Sequence, residues 1–147
     1  TYANGLPTYL RTSLATNERS FEVAPGRLEV IRRGSGATVL AFGPMLSRTL
    51  EACEGLDVTV AYATSLRPFD ADGLAAIAGD RPHVVVVEPW YQGASAQVVT
   101  EALAHTPATF TFLGVPRAFV HDYGTWQELD ADMGLDARGI KATLPGR

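Results

Sequence analysis

Four consecutive valines at positions 84–87 constrain the fold of this chain more than any other feature of its sequence. Neighbouring side chains of a strand point to opposite faces of a sheet, so an unbroken β-branched run needs apolar cover on both faces. Helices packed on a parallel sheet supply that cover. The run therefore predicts a central strand of an α/β domain. Its carboxyl end, at Glu88, should lie at the crevice where such sheets bind ligands and partners.

The rest of the chain repeats this strand–helix alternation. Strands are predicted at 7–13, 27–31, 37–44, 57–63, 83–89 and 108–116, and helices at 45–55, 71–79, 93–105 and 125–133, followed by a polar tail. Asp70 is the predicted N-cap of the second helix. Short connections between such elements indicate right-handed βαβ units. No crossover helix precedes the strand at 27–31, so that strand is expected antiparallel at an edge. We therefore predict a three-layer α/β/α fold with a mostly parallel, about five-stranded sheet.

Composition narrows the possible partners and compartment. The chain has 147 residues, a net charge of −4 and a single cysteine, Cys53. This negative net charge argues against nucleic acid, and against an anionic membrane surface, as binding partners. One cysteine forms no internal disulfide and fits a reducing compartment, so we expect a cytoplasmic location. No apolar run has the length that crosses a bilayer, and no membrane partner is expected. Because the chain starts without methionine and enters a predicted strand almost at once, we expect a piece of something longer.

No familiar catalytic motif is present. Gly34 and Gly36 precede a strand instead of following it, so they do not form a dinucleotide fingerprint, and no phosphate-binding loop with a following lysine occurs. The histidines at 83, 105 and 121 lie far apart in sequence. His121 and Asp122 resemble an acid–base couple, but no nucleophile motif accompanies them. We therefore predict no catalytic, cofactor-binding or metal-binding residue in this chain.

The stretch Glu88-Pro89-Trp90-Tyr91-Gln92-Gly93 is the most unusual local sequence. A carboxylate before a helix can accept hydrogen bonds from backbone amides at the helix start, which is a purely structural role. Adjacent Trp and Tyr on a loop are typical anchors of protein–protein contacts. Catalysis by Glu88 has the least support, because nothing nearby completes a site. Glu88, Trp90, Tyr91 and Gly93 are therefore candidate interface residues on the rim of a binding or assembly module.

Several motifs in order resemble those of the transketolase C-terminal domain. This domain occurs in transketolases, deoxyxylulose-phosphate synthases and the β subunits of 2-oxo-acid dehydrogenases. ATVLAFGPMLSRTLEA follows the family's strand–glycine–helix pattern, and RPFD follows its strand-ending turn. VVVVEPWYQGA follows the family's V-E-x-x-x-x-G-G, with Ala94 in place of the second glycine. Further matches, LRTSLATNERSFEV, GVPRAF and MGLDARGI, extend the resemblance from about Pro7 to Ile140.

The resemblance implies an enzyme larger than this chain. Family enzymes bind thiamine diphosphate and Mg between two other domains, and the C-terminal domain contributes to a dimer interface. By that resemblance, residues 1–20 are the end of the preceding pyrimidine-binding domain, 21–36 a linker and edge strand, and 37–147 the C-terminal domain. The expected partners are the remaining transketolase domains or subunit, in a homodimer. The chain is expected to be inactive alone and to bind no cofactor by itself.

One position departs from the family pattern. Sugar-phosphate members commonly have I-R-T-S-R-P-E-N where this chain has LRTSLATN, and the second arginine of that pattern binds the substrate phosphate. Arg11 matches the first arginine and Leu14 replaces the second. Leucine offers none of the forked donors that grip a phosphate. Arg11, Ser13 and Leu14 are thus candidate substrate-proximal residues, and either the substrate lacks that phosphate or the phosphate is held elsewhere.

A free-standing flavodoxin-like module, binding a small ligand or acting as a receiver domain, is the alternative. A phosphoacceptor site would need clustered aspartates after the first strand of the alternating region. This chain has Gly43-Pro44 at that place.

Overall fold

A five-stranded mixed sheet covered by helices on both faces forms the core of the chain. The computed structural model describes residues 5, 7, 9 and 14–144. The strands are β1 (Leu28–Arg32), β2 (Thr38–Phe42), β3 (Thr59–Ala63), β4 (His83–Tyr91) and β5 (Thr109–Val115). The helices are α1 (Leu46–Ala52), α2 (Ala71–Ala78), α3 (Ala96–Ala102), α4 (Trp126–Asp132) and α5 (Ala137–Thr143), with a 3₁₀ turn at Gly43–Met45. The predicted three-layer α/β fold is confirmed.

The strand order is β1-β3-β2-β4-β5. Strand β1 pairs antiparallel with β3, and every other pairing is parallel. The expected antiparallel edge strand is therefore confirmed. Strands β2 and β3 are buried along their whole length, whereas β1 is only half-buried. A strand buried on both faces requires the continuous apolar runs that the sequence has at these places.

The valine run supplies both halves of the core. Val85 and Val87 join the cluster on the face covered by α1 and α5. Val84 and Val86 join the cluster on the opposite face, where α2 and α3 contribute Leu74 and Val99. This alternation is the period of two that a strand imposes on its side chains. The prediction that the run is a central strand covered on both faces is confirmed.

Asp70 caps α2 and also joins it to the edge strand. One carboxylate oxygen accepts a hydrogen bond from the Gly73 amide at 2.9 Å, and the other accepts one from the Leu28 amide at 2.9 Å. The predicted N-cap is thus confirmed. The second bond, which links β1 to α2, had no signal in the local sequence.

Two elements differ from the sequence prediction. Strand β4 continues to Tyr91, so Trp90 and Tyr91 belong to a strand and the prediction of a loop there was wrong. The pairing of β4 with β5 shifts register between Val87 and Tyr91 and then resumes opposite Val115. The predicted polar tail is also wrong in part, because it contains helix α5. Asp136 starts this helix by accepting a hydrogen bond from the Gly139 amide at 2.7 Å, and Ile140 is fully buried.

The segment before β1 lies partly outside the described residues. Most of the predicted strand at 7–13 falls there, and so do Arg11 and Ser13. The proposed boundaries at residues 20 and 36 remain predictions.

Candidate functional site

The sheet has a topological switch point between β2 and β4. Successive connections leave these two neighbouring parallel strands toward opposite faces, so their carboxyl ends open a crevice where α/β sheets bind ligands. Gly43 and Pro44 follow β2 at this place, and Pro89 lies near the end of β4. The site predicted from Glu88 and its neighbours therefore lies at the edge of the sheet that is most suited to binding.

A groove of about 310 Å³ occupies the switch point. Its walls are mainly apolar, and the only charged groups among its lining residues are one arginine and one aspartate. The lining residues are Leu14, Ala15, Pro44, Met45, Arg48, Pro89, Val115, Trp126, Asp130 and Leu135. We refer to this feature below as the groove. Leu14 lines it with 91% of its surface exposed, so the predicted substrate-proximal residue stands at a cavity and does not pack into the core.

Arg48 organises the polar part of the groove. Its Nη1 donates to Asp130 Oδ2 at 2.6 Å and to the Leu135 carbonyl at 3.1 Å. Its guanidinium also lies 5.4 Å from the centre of the Trp126 ring. Arg48 thereby ties α1 to α4 and to the start of the α5 segment. Since its charge is already paired with Asp130, the groove offers apolar contact more than it offers a free cation.

Glu88 lies at the base of the turn that follows β4. Its side chain is fully buried, and its two carboxylate oxygens accept hydrogen bonds from the Gly93 amide at 2.5 Å and the Ser95 amide at 2.9 Å. Gly93 adopts a φ of +80°, a conformation that favours glycine. The contacts match the structural reading of Glu88, with one refinement: the donors lie in the turn and at the N-cap, before the first helical residue, Ala96.

Trp90 and Tyr91 occupy different environments although they are adjacent. Trp90 is half-buried and packs against Phe42, with ring centres 5.3 Å apart. Tyr91 is 57% exposed, and the Arg117 guanidinium lies 5.8 Å from its ring centre. Of the two, only Tyr91 presents most of its surface to a partner. Their assignment to an interface remains a prediction.

The structure does not gather the three histidines. His83 Nε2 lies 2.9 Å from Thr111 Oγ1 within the sheet, and the His121 ring lies 4.9 Å from that of Phe119. His105 is exposed beyond α3. Cys53 is fully buried, and burial raises the pKa of its thiol, so it is a poor nucleophile. The described residues contain no group of three or more His, Cys, Asp or Glu side chains that could hold a metal ion.

An exposed aromatic segment between β5 and α4 was not singled out from the sequence. Residues 117–128 are exposed without interruption. Phe119 is 82% exposed, Tyr123 is fully exposed and Trp126 is 43% exposed. Three aromatic rings within eight residues of polar sequence were the available signal. Large exposed rings in one segment are typical of surfaces that other proteins cover.

The part of the chain that the structure describes has no helix long and apolar enough to pass through a membrane.

Residues 26–140 match the family model described as "Transketolase, C-terminal domain". An uncharacterized 33.6 kDa protein in the fasciation locus of Rhodococcoides fascians is 41% identical over 139 residues, which are 92% of this chain and 45% of that protein. The 1-deoxy-D-xylulose-5-phosphate synthase of Methylobacillus flagellatus is 36% identical over 136 residues, 88% of this chain and 22% of that enzyme.

Among solved structures, one described as a split gene transketolase in an inactive β4 tetramer superposes with a TM-score of 0.66. It is 30% identical, and the match covers 83% of this chain and 42% of that one. The chain thus spans less than half the length of these relatives. These matches do not favour the alternative of a free-standing flavodoxin-like module. The strand order, the family match over residues 26–140 and this superposition agree, and the chain belongs to the transketolase C-terminal domain family.

Proposed function

We propose that this chain serves as the assembly domain of a thiamine-diphosphate-dependent transketolase-type enzyme, bordering its active site without being catalytic alone. The observation that supports this most is the family match, which extends over nearly the whole α/β domain. The groove at the switch point and the exposed aromatic segment provide surfaces for contact with the remaining domains or subunit.

The described residues do not fit thiamine diphosphate and its Mg ion. Pro44 stands at the start of the 3₁₀ turn after β2, where a phosphate cradle would need a backbone amide. The acidic side chains are dispersed and form no candidate metal cluster among the described residues. The cofactor would therefore be held by other domains of the enzyme, and we derive no catalytic step from this chain.

We further propose a homodimeric assembly in the cytoplasm. The split transketolase that this chain resembles is described as a tetramer of one kind of subunit, which supports association between like chains. The exposed rings of Tyr91, Phe119 and Tyr123 are the contact groups we would assign to such an assembly. The proposed compartment is supported by the single cysteine, Cys53, which is a free thiol and is compatible with a reducing environment.

Calorimetry with thiamine diphosphate and Mg tests the proposal. The 147-residue chain alone should show no binding, whereas the assembly of this chain with the rest of its enzyme should bind the cofactor and transfer a two-carbon unit. Micromolar binding by the chain alone would contradict the assignment of the cofactor to other domains. A cofactor-binding assembly whose activity persists without this chain would contradict its part in the enzyme.

The identity of residue 14, a leucine, suggests which acceptor substrates the enzyme prefers. We propose that the enzyme favours an acceptor without a terminal phosphate at this end, because a leucine that is 91% exposed on an apolar groove gives a phosphate no donor. Leu14→Arg should raise kcat/KM for phosphorylated acceptors by about ten- to a hundredfold, the effect of one charge-assisted contact. Leu14→Lys, a charge without the forked donors, is the matched control and should give a smaller gain. A wild-type enzyme that already prefers sugar phosphates, and is unchanged by Leu14→Arg, would contradict the proposal.

A further inference from the structure

Asn17 is bonded to three separate groups around the turn that follows β2. Its Nδ2 donates to the Gly43 carbonyl at 3.1 Å and to the Tyr62 hydroxyl at 3.2 Å. Its Oδ1 accepts a hydrogen bond from the Ser47 amide at 3.1 Å. Both ends of one side-chain amide are thus occupied, and the partners come from the end of β2, from β3 and from the first turn of α1. A surface asparagine needs no such set of partners.

Neighbouring residues reinforce the same attachment. The Glu18 amide donates to Ser47 Oγ at 2.8 Å, and the Phe21 ring lies 5.8 Å from the Tyr62 ring. Residues 17–21 are therefore attached to the turn after β2, to α1 and to β3, and Asn17 is the attached residue closest in sequence to Leu14.

The fastening point determines where Leu14 can lie. Leu14 precedes Asn17 by three residues, so even a fully extended chain allows the two Cα atoms to lie no more than about 10 Å apart. Leu14 itself is 91% exposed, so its own packing does little to fix its place. The Gly43-Pro44 turn ties the two together, because Asn17 bonds to the Gly43 carbonyl while Pro44 and Leu14 line the same groove.

We propose that Asn17 is a positioning residue: through Gly43, Ser47 and Tyr62 it holds the entering segment on the carboxyl end of β2 and so sets where residue 14 stands at the groove. This inference rests on the proposed function for its effect on substrate, since it is the acceptor end of the active site that residue 14 would border. It predicts that loss of the Asn17 contacts shifts residue 14 and weakens acceptor binding, without removing any group from the chemistry.

The test uses the complete enzyme that contains this chain, in three variants. Asn17→Ala removes all three bonds. Asn17→Asp keeps an acceptor for the Ser47 amide but loses both donated bonds. Thr16→Ala, at an exposed neighbouring position in the same segment, is the matched control.

Two measurements separate positioning from simple stabilisation. Hydrogen exchange at the Glu18 amide, which donates to Ser47 Oγ, should be faster by about tenfold or more in Asn17→Ala and in Asn17→Asp, whose second carboxylate oxygen would face the Gly43 carbonyl, and unchanged in Thr16→Ala. Well below the melting temperature, the acceptor KM should rise by about fivefold or more in Asn17→Ala with kcat within about twofold of wild type. A purely structural asparagine would lower the melting temperature and the active fraction while leaving KM unchanged.

The outcomes also distinguish this inference from the proposed function. Faster exchange together with a raised KM supports both. Unchanged exchange, or a lowered melting temperature with an unchanged KM, overturns the role of Asn17 even in an active enzyme. If the complete protein has no thiamine-diphosphate-dependent activity, the proposed function fails, and exchange is read together with the melting temperature. Faster exchange at the Glu18 amide with an unchanged melting temperature supports the positioning role, whereas unchanged exchange, or faster exchange with a lowered melting temperature, overturns it.

Discussion

Glu88 shows how a carboxylate at the end of a buried strand can be structural. Both of its oxygens accept backbone amides of the turn before α3, and no cationic side chain contacts it in the described structure. Buried polar groups persist in proteins when they are hydrogen-bonded, and backbone amides at a turn need an acceptor as much as the carboxylate needs donors. Glu88 therefore joins β4 to α3 where the chain reverses, and the sequence motif V-E-x-x-x-x-G is explained by the geometry of this turn.

Glu88→Gln should destabilise the chain by about 1–3 kcal/mol, because the new amide group faces backbone donors and leaves one buried N–H without an acceptor. Glu88→Ala should cost more, since both amides lose their partner and a cavity remains. Urea unfolding measures the free-energy change. Glu101→Gln on α3, an exposed position whose carboxylate accepts a hydrogen bond from Gln97, is the matched control and should change stability by less than about 0.5 kcal/mol. An unchanged unfolding free energy in Glu88→Gln would contradict the structural role.

At the scale of elements, the parallel part of the sheet was predictable because its signal is local. Strands β2, β3 and the first part of β4 are short apolar runs, and burial on both faces follows from that composition, whereas β5, at the other edge of the sheet, alternates threonine and phenylalanine and is only partly buried. The edge position of β1 followed from topology alone, because no crossover helix precedes it. These inferences needed no long-range contact to be known.

The extension of β4 depended on contacts that the local sequence does not contain. Trp90 and Tyr91 continue the strand because β5 approaches closely at Gly114, where a Cβ atom would lie 2.7 Å from the Trp90 carbonyl oxygen. The Gln92 amide then donates to the Val115 carbonyl at 2.9 Å. The predicted strand ended at Pro89, because a proline cannot donate to a sheet ladder, and only the partner strand shows that the pairing resumes beyond it.

Helix α5 was missed for a related reason. Its sequence, ARGIKAT, is short and has one buried residue, Ile140, which gives no helical period to detect. The helix is stabilised by packing on α1 and by the Asp136 cap, which are tertiary and capping contacts. The crevice at the carboxyl ends of the strands was expected, but the walls of the groove were not predictable, since they come from residues as distant in sequence as Leu14 and Leu135. The role of Asn17 was not predictable for the same reason, because its three hydrogen-bond partners lie 26 or more residues away in sequence.

At the scale of the whole molecule, exposed aromatic residues cluster at the end of β4 and in the segment that follows β5, and one of them, Trp126, lines the groove. Tyr91 ends β4, Trp126 lines the groove, and Phe119 and Tyr123 belong to the exposed segment that follows β5. A chain of this size rarely exposes several rings in one region unless something covers them. Because the proposed enzyme places this domain against other domains, we expect this region to be buried in the assembly.

Tyr91 and Trp90 give the sharpest test, because they are adjacent in sequence and differ in burial. Tyr91→Ala should weaken assembly by about 2 kcal/mol or more, roughly thirtyfold in dissociation constant, while the chain's own unfolding free energy changes little. Trp90→Ala should instead cost about 3 kcal/mol of folding stability, since its ring packs against Phe42 in the core. Sedimentation of the assembly and urea unfolding of the chain, measured on both variants, separate the two effects.

If Tyr91→Ala leaves the assembly intact, the end of β4 is not part of the interface. The surface would then be covered, if at all, through Phe119 and Tyr123 alone. If Trp90→Ala weakens assembly without loss of stability, the tryptophan must turn away from Phe42 in the complex, and the contact between the two rings would exist only in the free chain.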